Sequence, residues 1–277
     1  MSNYPPISQS LIDPEKGQES SPRTAISSTV AKALGIVDIL AARAETGISL
    51  AELSTILDMP KSTTHRYLST LIELGLAERN DADRFRLGTK VIELAGAYLA
   101  NSDLRNESQS ILGELAEESG ETIHLAVPDG TEVVYIGKVE SRHAWGMLSR
   151  IGTRLPIYCT ALGKSILAFG SEDLLQKVLA ETMKPRTPNT ITTAVALEAE
   201  LRLVRLRGFA IDDEENEKGI CCVGAPIIDY AGQPIGAISI SGPRERMDRE
   251  RCVQLGPLVR DAAHRISRRR GFVEPRK

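Results

Sequence analysis

Apolar positions first take on a helical period at Val30, Leu34, Val37 and Leu40, which predicts a helix over 28–45 with Gly47 as its stop. A second helix follows at once. Ser49 and Glu52 have the spacing of a capping box, and Ile48 and Leu53 that of a hydrophobic staple. Leu50, Leu53 and Leu57 face inward, and Asp58-Met59-Pro60 turns the chain, with Pro60 suited to the first turn of the next helix. In that third helix Thr64, Leu68, Leu71 and Ile72 share one side, while Ser62, Arg66, Ser69, Thr70 and Glu73 share the other. Beyond Gly75 the period drops to two: Leu76–Arg79 and Arg84–Leu87 flank the polar turn 80–83. Phe85 and Leu87 point one way, Arg84 and Arg86 the other. A further helix, Thr89–Asn101, carries a stripe of Val91, Leu94, Ala95, Tyr98 and Leu99 suited to pairing with a second copy, and Ser102-Asp103 reads as a hinge.

From Glu107 the pattern is mixed. Ile111, Leu112, Leu115 and Ala116 mark a helix. Thr122–Val127 and Glu132–Val139 read as strands joined through Pro128-Asp129-Gly130, with Trp145–Arg150 as a third. Thr160–Phe169, Ser171–Glu181 and Leu197–Arg207 read as helices, the last closed by Gly208, and Thr187–Thr193 as a loop. Ile220–Ile228 and Pro234–Ser241 form a hairpin, and Asp248–Arg270 closes the chain as a helix with a basic end. Antiparallel strands with helices before and after predict an α+β sensor domain of the GAF or PAS kind.

Composition sets the frame around these elements. A chain of 277 residues, 42% hydrophobic and 26% charged, has room for two domains. Residues 1–25, rich in Pro, Ser, Gln and Asn, are expected to be a disordered tail. A net charge of −3 excludes a general polyanion binder, so any nucleic-acid contact needs a local patch. Between residues 26 and 88, seven Lys/Arg stand against eight Asp/Glu, so composition alone leaves DNA binding undecided. The four cysteines form no C-x-x-C pair and read as reduced, packed thiols, with no metal set and no cofactor expected. Without a signal segment or a membrane-length apolar run, a cytoplasmic protein is expected.

The stretch Ile48–Leu76 has the grammar of a helix-turn-helix that reads DNA. Lys61, Ser62, Thr63, His65, Arg66 and Ser69 are the candidate readers of bases and phosphates, with Arg84 and Arg86 on a wing. Downstream, Ser239 and Ser241 share one strand face while Ile238 and Ile240 take the other. Only one of Cys221 and Cys222 can share the serines' face. His124 in an apolar strand reads as a core histidine rather than a metal ligand. Arg268-Arg269-Arg270 reads as a solvated helix end, and the Asp212–Glu217 run as an acidic loop.

Taken in order, Pro60–Arg66, Phe85-Arg86-Leu87-Gly88, Ala161-Leu162-Gly163-Lys164, Gly208–Glu215, Gly219–Cys222 with Ala225-Pro226, and Ala237–Pro243 resemble the IclR-type bacterial transcription regulators from about Ser27 to Gly271. Glu121–Leu125, Ser149–Gly152 and Leu155–Thr160 look like the branch that senses sugar acids, of the 2-keto-3-deoxygluconate type.

The resemblance implies an α+β chain of two domains: a winged helix-turn-helix over 26–88, a linker helix over 89–106 and a GAF-like effector-binding domain over 107–277. It implies an effector site of Met147, Leu148, Asp212, Cys222, Ser239 and Ser241, with Ala161 and Leu162 offering backbone N–H groups at a helix start. The expected protein is a homodimer or dimer of dimers that binds double-stranded operator DNA. A small carboxylate, such as a sugar acid or keto acid, would release it as a repressor. Alternatives are an activator in an aromatic-acid or other carboxylate pathway and, more distantly, a thiol hydrolase using Cys221 or Cys222 with His124 or His143.

Overall fold

The computed structural model describes residues 28–100, 103–140 and 149–273. The expected tail 1–25, Ser102 of the hinge, His143, Met147, Leu148 and most of the strand expected at Trp145–Arg150 lie outside the described residues. The chain divides into two compact units, with the boundary in the sequence between Tyr98 and Leu99.

The first unit contains helices α1 (Ser28–Ala42), α2 (Leu50–Ile56) and α3 (Lys61–Glu73), strands β1 (Ala77–Arg79) and β2 (Phe85–Leu87), and most of helix α4 (Lys90–Ala100). Its core joins Ile36, Ile39 and Leu40 of α1 to Ile48, Leu53, Leu57, Leu68, Leu71, Ala77 and Phe85. The capping box forms as spaced: Ser49 N–H donates to Glu52 Oε2 at 2.8 Å, and Glu52 N–H to Ser49 Oγ at 3.3 Å.

Several expectations are corrected in this unit. Val30 and Leu34 are each 55% exposed, because α1 is apolar on most sides and periodicity alone cannot choose its buried face. The helix ends at Ala42, and a turn leads to Gly47 at φ 63°. Ile72 is exposed at the edge of a stripe that buries Thr64, Leu68 and Leu71. Pro60 precedes the first turn of α3 as its cap residue, where its carbonyl accepts the Thr64 hydroxyl at 3.2 Å.

The second unit contains α5 (Asp103–Ser119), β3 (Thr122–Asp129), β4 (Glu132–Val139), β5 (Arg154–Pro156), α6 (Ala161–Phe169), α7 (Glu172–Ala180), α8 (Ala194–Arg207), β6 (Ala210–Asp213), β7 (Ile220–Ile228), β8 (Pro234–Pro243) and α9 (Arg249–Arg269). One antiparallel sheet runs in the order β5-β4-β3-β8-β7-β6. Ile123, Leu125, Val223, Ile238 and Ile240 face α5 and α9 on one side. Ala126, Tyr135, Ala210 and Ala237 join the core of α6, α7 and α8 on the other. β5 and β6 went unpredicted because three or four residues are too few for alternation to register. Ser149 and Arg150 are not strand; β5 takes the edge position beside β4 instead.

Candidate functional site

Two polar patches stand out against these cores. On α3, Lys61, Ser62, His65, Arg66 and Ser69 are exposed along one side and Thr63 is half-buried, while Thr64 and Leu68 anchor the opposite side. His65 Nδ1 and Ser69 Oγ lie 3.5 Å apart, one helical turn from each other. Pro60 supplies no side-chain cap, so the helix start keeps N–H groups open to an acceptor such as a phosphate.

The wing departs from expectation. Arg84 is not a free wing arginine: its Nε donates to Thr46 O at 2.9 Å, and its Nη2 to Gly47 O and Glu52 Oε2, both at 3.1 Å. The bridge between Ile48 and Phe85 brings it there, so it ties the hairpin to the turn before α2. Arg86 stays exposed and pairs across the hairpin with Glu78 at 2.6 Å, a solvent-screened contact that a phosphate can displace.

The second patch is enclosed. Strand register sets His124 opposite Ser239, Ser241 opposite Cys222, and Cys222 opposite Asp212. These side chains occupy the sheet face that carries α6, alternating with the apolar residues that face α5 and α9. The structure thus brings Asp212, Cys222, Ser239 and Ser241 together, and it is Cys222 rather than Cys221 that shares the serines' face. Gly224 lets the start of α6 close over them, and Gly163 lets α6 fold tightly against the loop before it. A Cβ at Gly224 would stand 3.1 Å from the Ala161 carbonyl carbon, and one at Gly163 would strike Ile157 O at 2.1 Å.

Thr160 caps α6 by accepting Gly163 N–H at 3.0 Å. Among the described residues no protein acceptor meets the N–H groups of Ala161 and Leu162. Buried hydroxyls and a carboxylate on the sheet face beneath the start of α6 are groups suited to recognising a small molecule that carries an acid group and hydroxyls.

His124 is the satisfied core histidine expected from the sequence, and its partners place it on this polar face. Its Nε2 meets Ser149 Oγ at 2.8 Å and its Nδ1 meets Ser241 Oγ at 3.3 Å, while its ring stacks on Tyr135 at 4.5 Å. Burial, aided by the Lys138 charge, pulls its pKa down to about 3, so the ring is neutral. Asp212 is 3% exposed and accepts the N–H groups of Glu215 and Asn216 at 2.7 and 3.3 Å. It therefore also acts as a turn cap. Burial first, and then the neighbouring Glu215 charge, push its pKa up to about 7.

Lys164 and Glu215 were passed over in the sequence. Lys164 is fully buried on α6 and donates to Ile211 O at 2.6 Å and to the Glu215 carboxylate. A lysine amid the apolar run of α6 was the available signal. The Asp212–Glu217 run is correspondingly not a simple solvated loop, since Glu215 is 7% exposed. Burial also pushes Cys159 and Cys221 up to about 12 and Cys222 well above a free thiol, which leaves no thiolate nucleophile among them.

Residues 29–81 match the IclR helix-turn-helix domain, and residues 96–268 match the bacterial transcriptional regulator IclR C-terminal domain. The HTH-type transcriptional regulator KdgR of Escherichia coli (strain K12) is 37% identical over 247 residues, covering 88% of this chain and 93% of that one. The HTH-type transcriptional repressor AllR of the same strain is 33% identical over 221 residues, covering 79% and 82%. Among solved structures, IclR of Thermotoga maritima superposes with a TM-score of 0.72 at 38% identity, covering 88% of this chain and 99% of that one.

Proposed function

We propose, from the premise that this chain belongs to the IclR family of bacterial transcriptional regulators and is no enzyme, that it is a repressor released from its operator by a small hydroxylated carboxylate. The observation that carries the reading is the enclosed polar face of His124, Asp212, Cys222, Ser239 and Ser241 set against the open N–H groups of Ala161 and Leu162. The effector carboxylate takes those N–H groups, and its hydroxyls reach Ser239, Ser241 and Asp212. Likeness to regulators named KdgR, which fits the sugar-acid branch suggested by Glu121–Leu125 and Leu155–Thr160, favours a sugar acid or keto acid over an aromatic acid.

On the DNA side, Lys61, Ser62, Thr63, His65, Arg66 and Ser69 of α3 read the operator, with Arg86 on the wing and Arg84 holding the wing in place. A second copy covers the exposed Ile92, Leu94 and Tyr98 of α4, giving a dimer or dimer of dimers whose two readers match the halves of a palindrome. Release works only if the effector binds the DNA-competent and DNA-incompetent arrangements with different affinity. A thermal-shift screen of sugar acids, keto acids and aromatic acids on the full chain tests this reading, since a ligand that binds only the folded state raises Tm. A rise with sugar or keto acids supports it; a rise with aromatic acids alone overturns the effector class.

A further inference from the structure

Lys164 is the largest side chain among the described residues that is wholly withdrawn from water. Its ammonium holds Ile211 O at 2.6 Å and the Glu215 carboxylate, with Glu200 Oε1 of α8 at 4.0 Å. Asp212 lies between the two residues that the lysine grips, and its own carboxylate receives the Glu215 and Asn216 N–H groups. Ammonium and carboxylate thus fasten one turn from two ends.

The charges of this cluster do not cancel. Asp212, Glu200 and Glu215 offer three carboxylates against two cations, Lys164 and Arg207, the latter at 2.5 Å from Glu200 Oε1. Lys138, opposite His124 on β4, is a further cation on the sheet, but it pairs with Glu140 at 2.9 Å and three strands separate β4 from the Asp212 strand β6. Cys222 on β7, Cys159 before α6 and Tyr135 on β4 keep their protons, and His124 on β3 is neutral. Arg186 donates to Asn216 O from an exposed position. One Glu215 oxygen, Oε2, is buried with no hydrogen-bond partner. With Asp212 ionised the cluster is one negative charge in excess, and burial makes that excess costly.

An anionic effector at the first turn of α6 adds a further negative charge to the same enclosure. We infer that Lys164 is a positioning residue that sets the charge of the effector site, so that a carboxylate effector enters together with a proton that Asp212 takes up from solvent. This rests on the carboxylate reading of the pocket given above. The sign follows directly. Below about pH 7 Asp212 already holds its proton and affinity is level. Above it, each binding event must gather a proton, and affinity falls by up to about tenfold per pH unit.

The test uses the full-length protein and 2-keto-3-deoxygluconate as probe, titrated calorimetrically in two buffers of different protonation enthalpy across about pH 6–9. Wild type takes up close to one proton per site at the alkaline end, and Asp212→Asn takes up none. Glu215→Gln, which removes an anion beside Asp212, moves the fall in affinity to lower pH. Lys164→Met, which removes the cation, moves it to higher pH; if Lys164→Met fails to fold, Glu215→Gln alone decides. Binding to wild type with no proton uptake, or with the same pH profile in every variant, overturns the inference and leaves the carboxylate reading standing. Absence of wild-type binding, at every pH, to 2-keto-3-deoxygluconate and to every acid in the thermal-shift panel overturns that reading, and this inference with it. Without ligand, the Tm of wild type falls relative to Asp212→Asn as pH rises through 7; parallel curves overturn the charge assignment on their own.

Discussion

The outer side of α3 and the α6-facing side of the sheet are both rows of small polar and charged residues, yet they stand in opposite surroundings. Arg66, Ser62 and Ser69 are exposed to water. Ser239, Ser241 and His124 are at most 2% exposed, and each finds a partner inside the protein. A solvated row costs the fold almost nothing, and its side chains are free to meet a polyanion. An enclosed row must be satisfied group by group, and what it leaves open becomes a demand for a particular ligand. On the function proposed above, the first patch governs affinity for DNA without touching stability, and the second couples ligand binding to the fold.

The contrast breaks most sharply at Lys164. Replacing it by alanine strands the Glu215 carboxylate in the interior and should cost about 3–5 kcal/mol of stability, read from urea unfolding. A loss below about 1 kcal/mol would mean that water reaches the cluster. Arg66→Ala should weaken operator binding by about 1–3 kcal/mol in a gel shift and leave Tm unchanged. If Tm falls with it, α3 is not the passive reading surface described. Ser49→Ala removes one half of the capping box and should cost about 1 kcal/mol of stability, with operator contacts kept. Arg86→Ala should change stability by less than about 0.5 kcal/mol, because its pair with Glu78 is exposed, while lowering the salt dependence of DNA binding slightly.

Legibility in the sequence followed the same division. Ser49-x-x-Glu52 gave its capping box and α3 gave its two sides, because both are local patterns whose geometry a helix fixes. Alternation placed Ser239 and Ser241 on one face, and resemblance rather than spacing brought Asp212 and Cys222 to them. What stayed hidden depended on contacts distant in sequence. Arg84 looked like a wing arginine until the Ile48–Phe85 bridge drew it onto Thr46. His124 read correctly as a satisfied core histidine, but its partners Ser241 and Ser149 stayed hidden because they lie 117 and 25 residues away. Lys164 finds Ile211 and Glu215 at separations of 47 and 51 residues. On α1, an excess of apolar residues concealed where the buried stripe runs: Leu40 lies in the core, whereas Val30 and Leu34 of the same row are exposed.

The central claim, that the enclosed patch controls the solvated one, is tested most directly by operator affinity measured with and without 2-keto-3-deoxygluconate in wild type and Ser239→Ala. The account predicts that the acid weakens operator binding by wild type at least tenfold, whereas Ser239→Ala binds the operator as tightly as wild type and no longer responds. Equal responses in the two proteins, or loss of operator binding by Ser239→Ala in the absence of the acid, would contradict it.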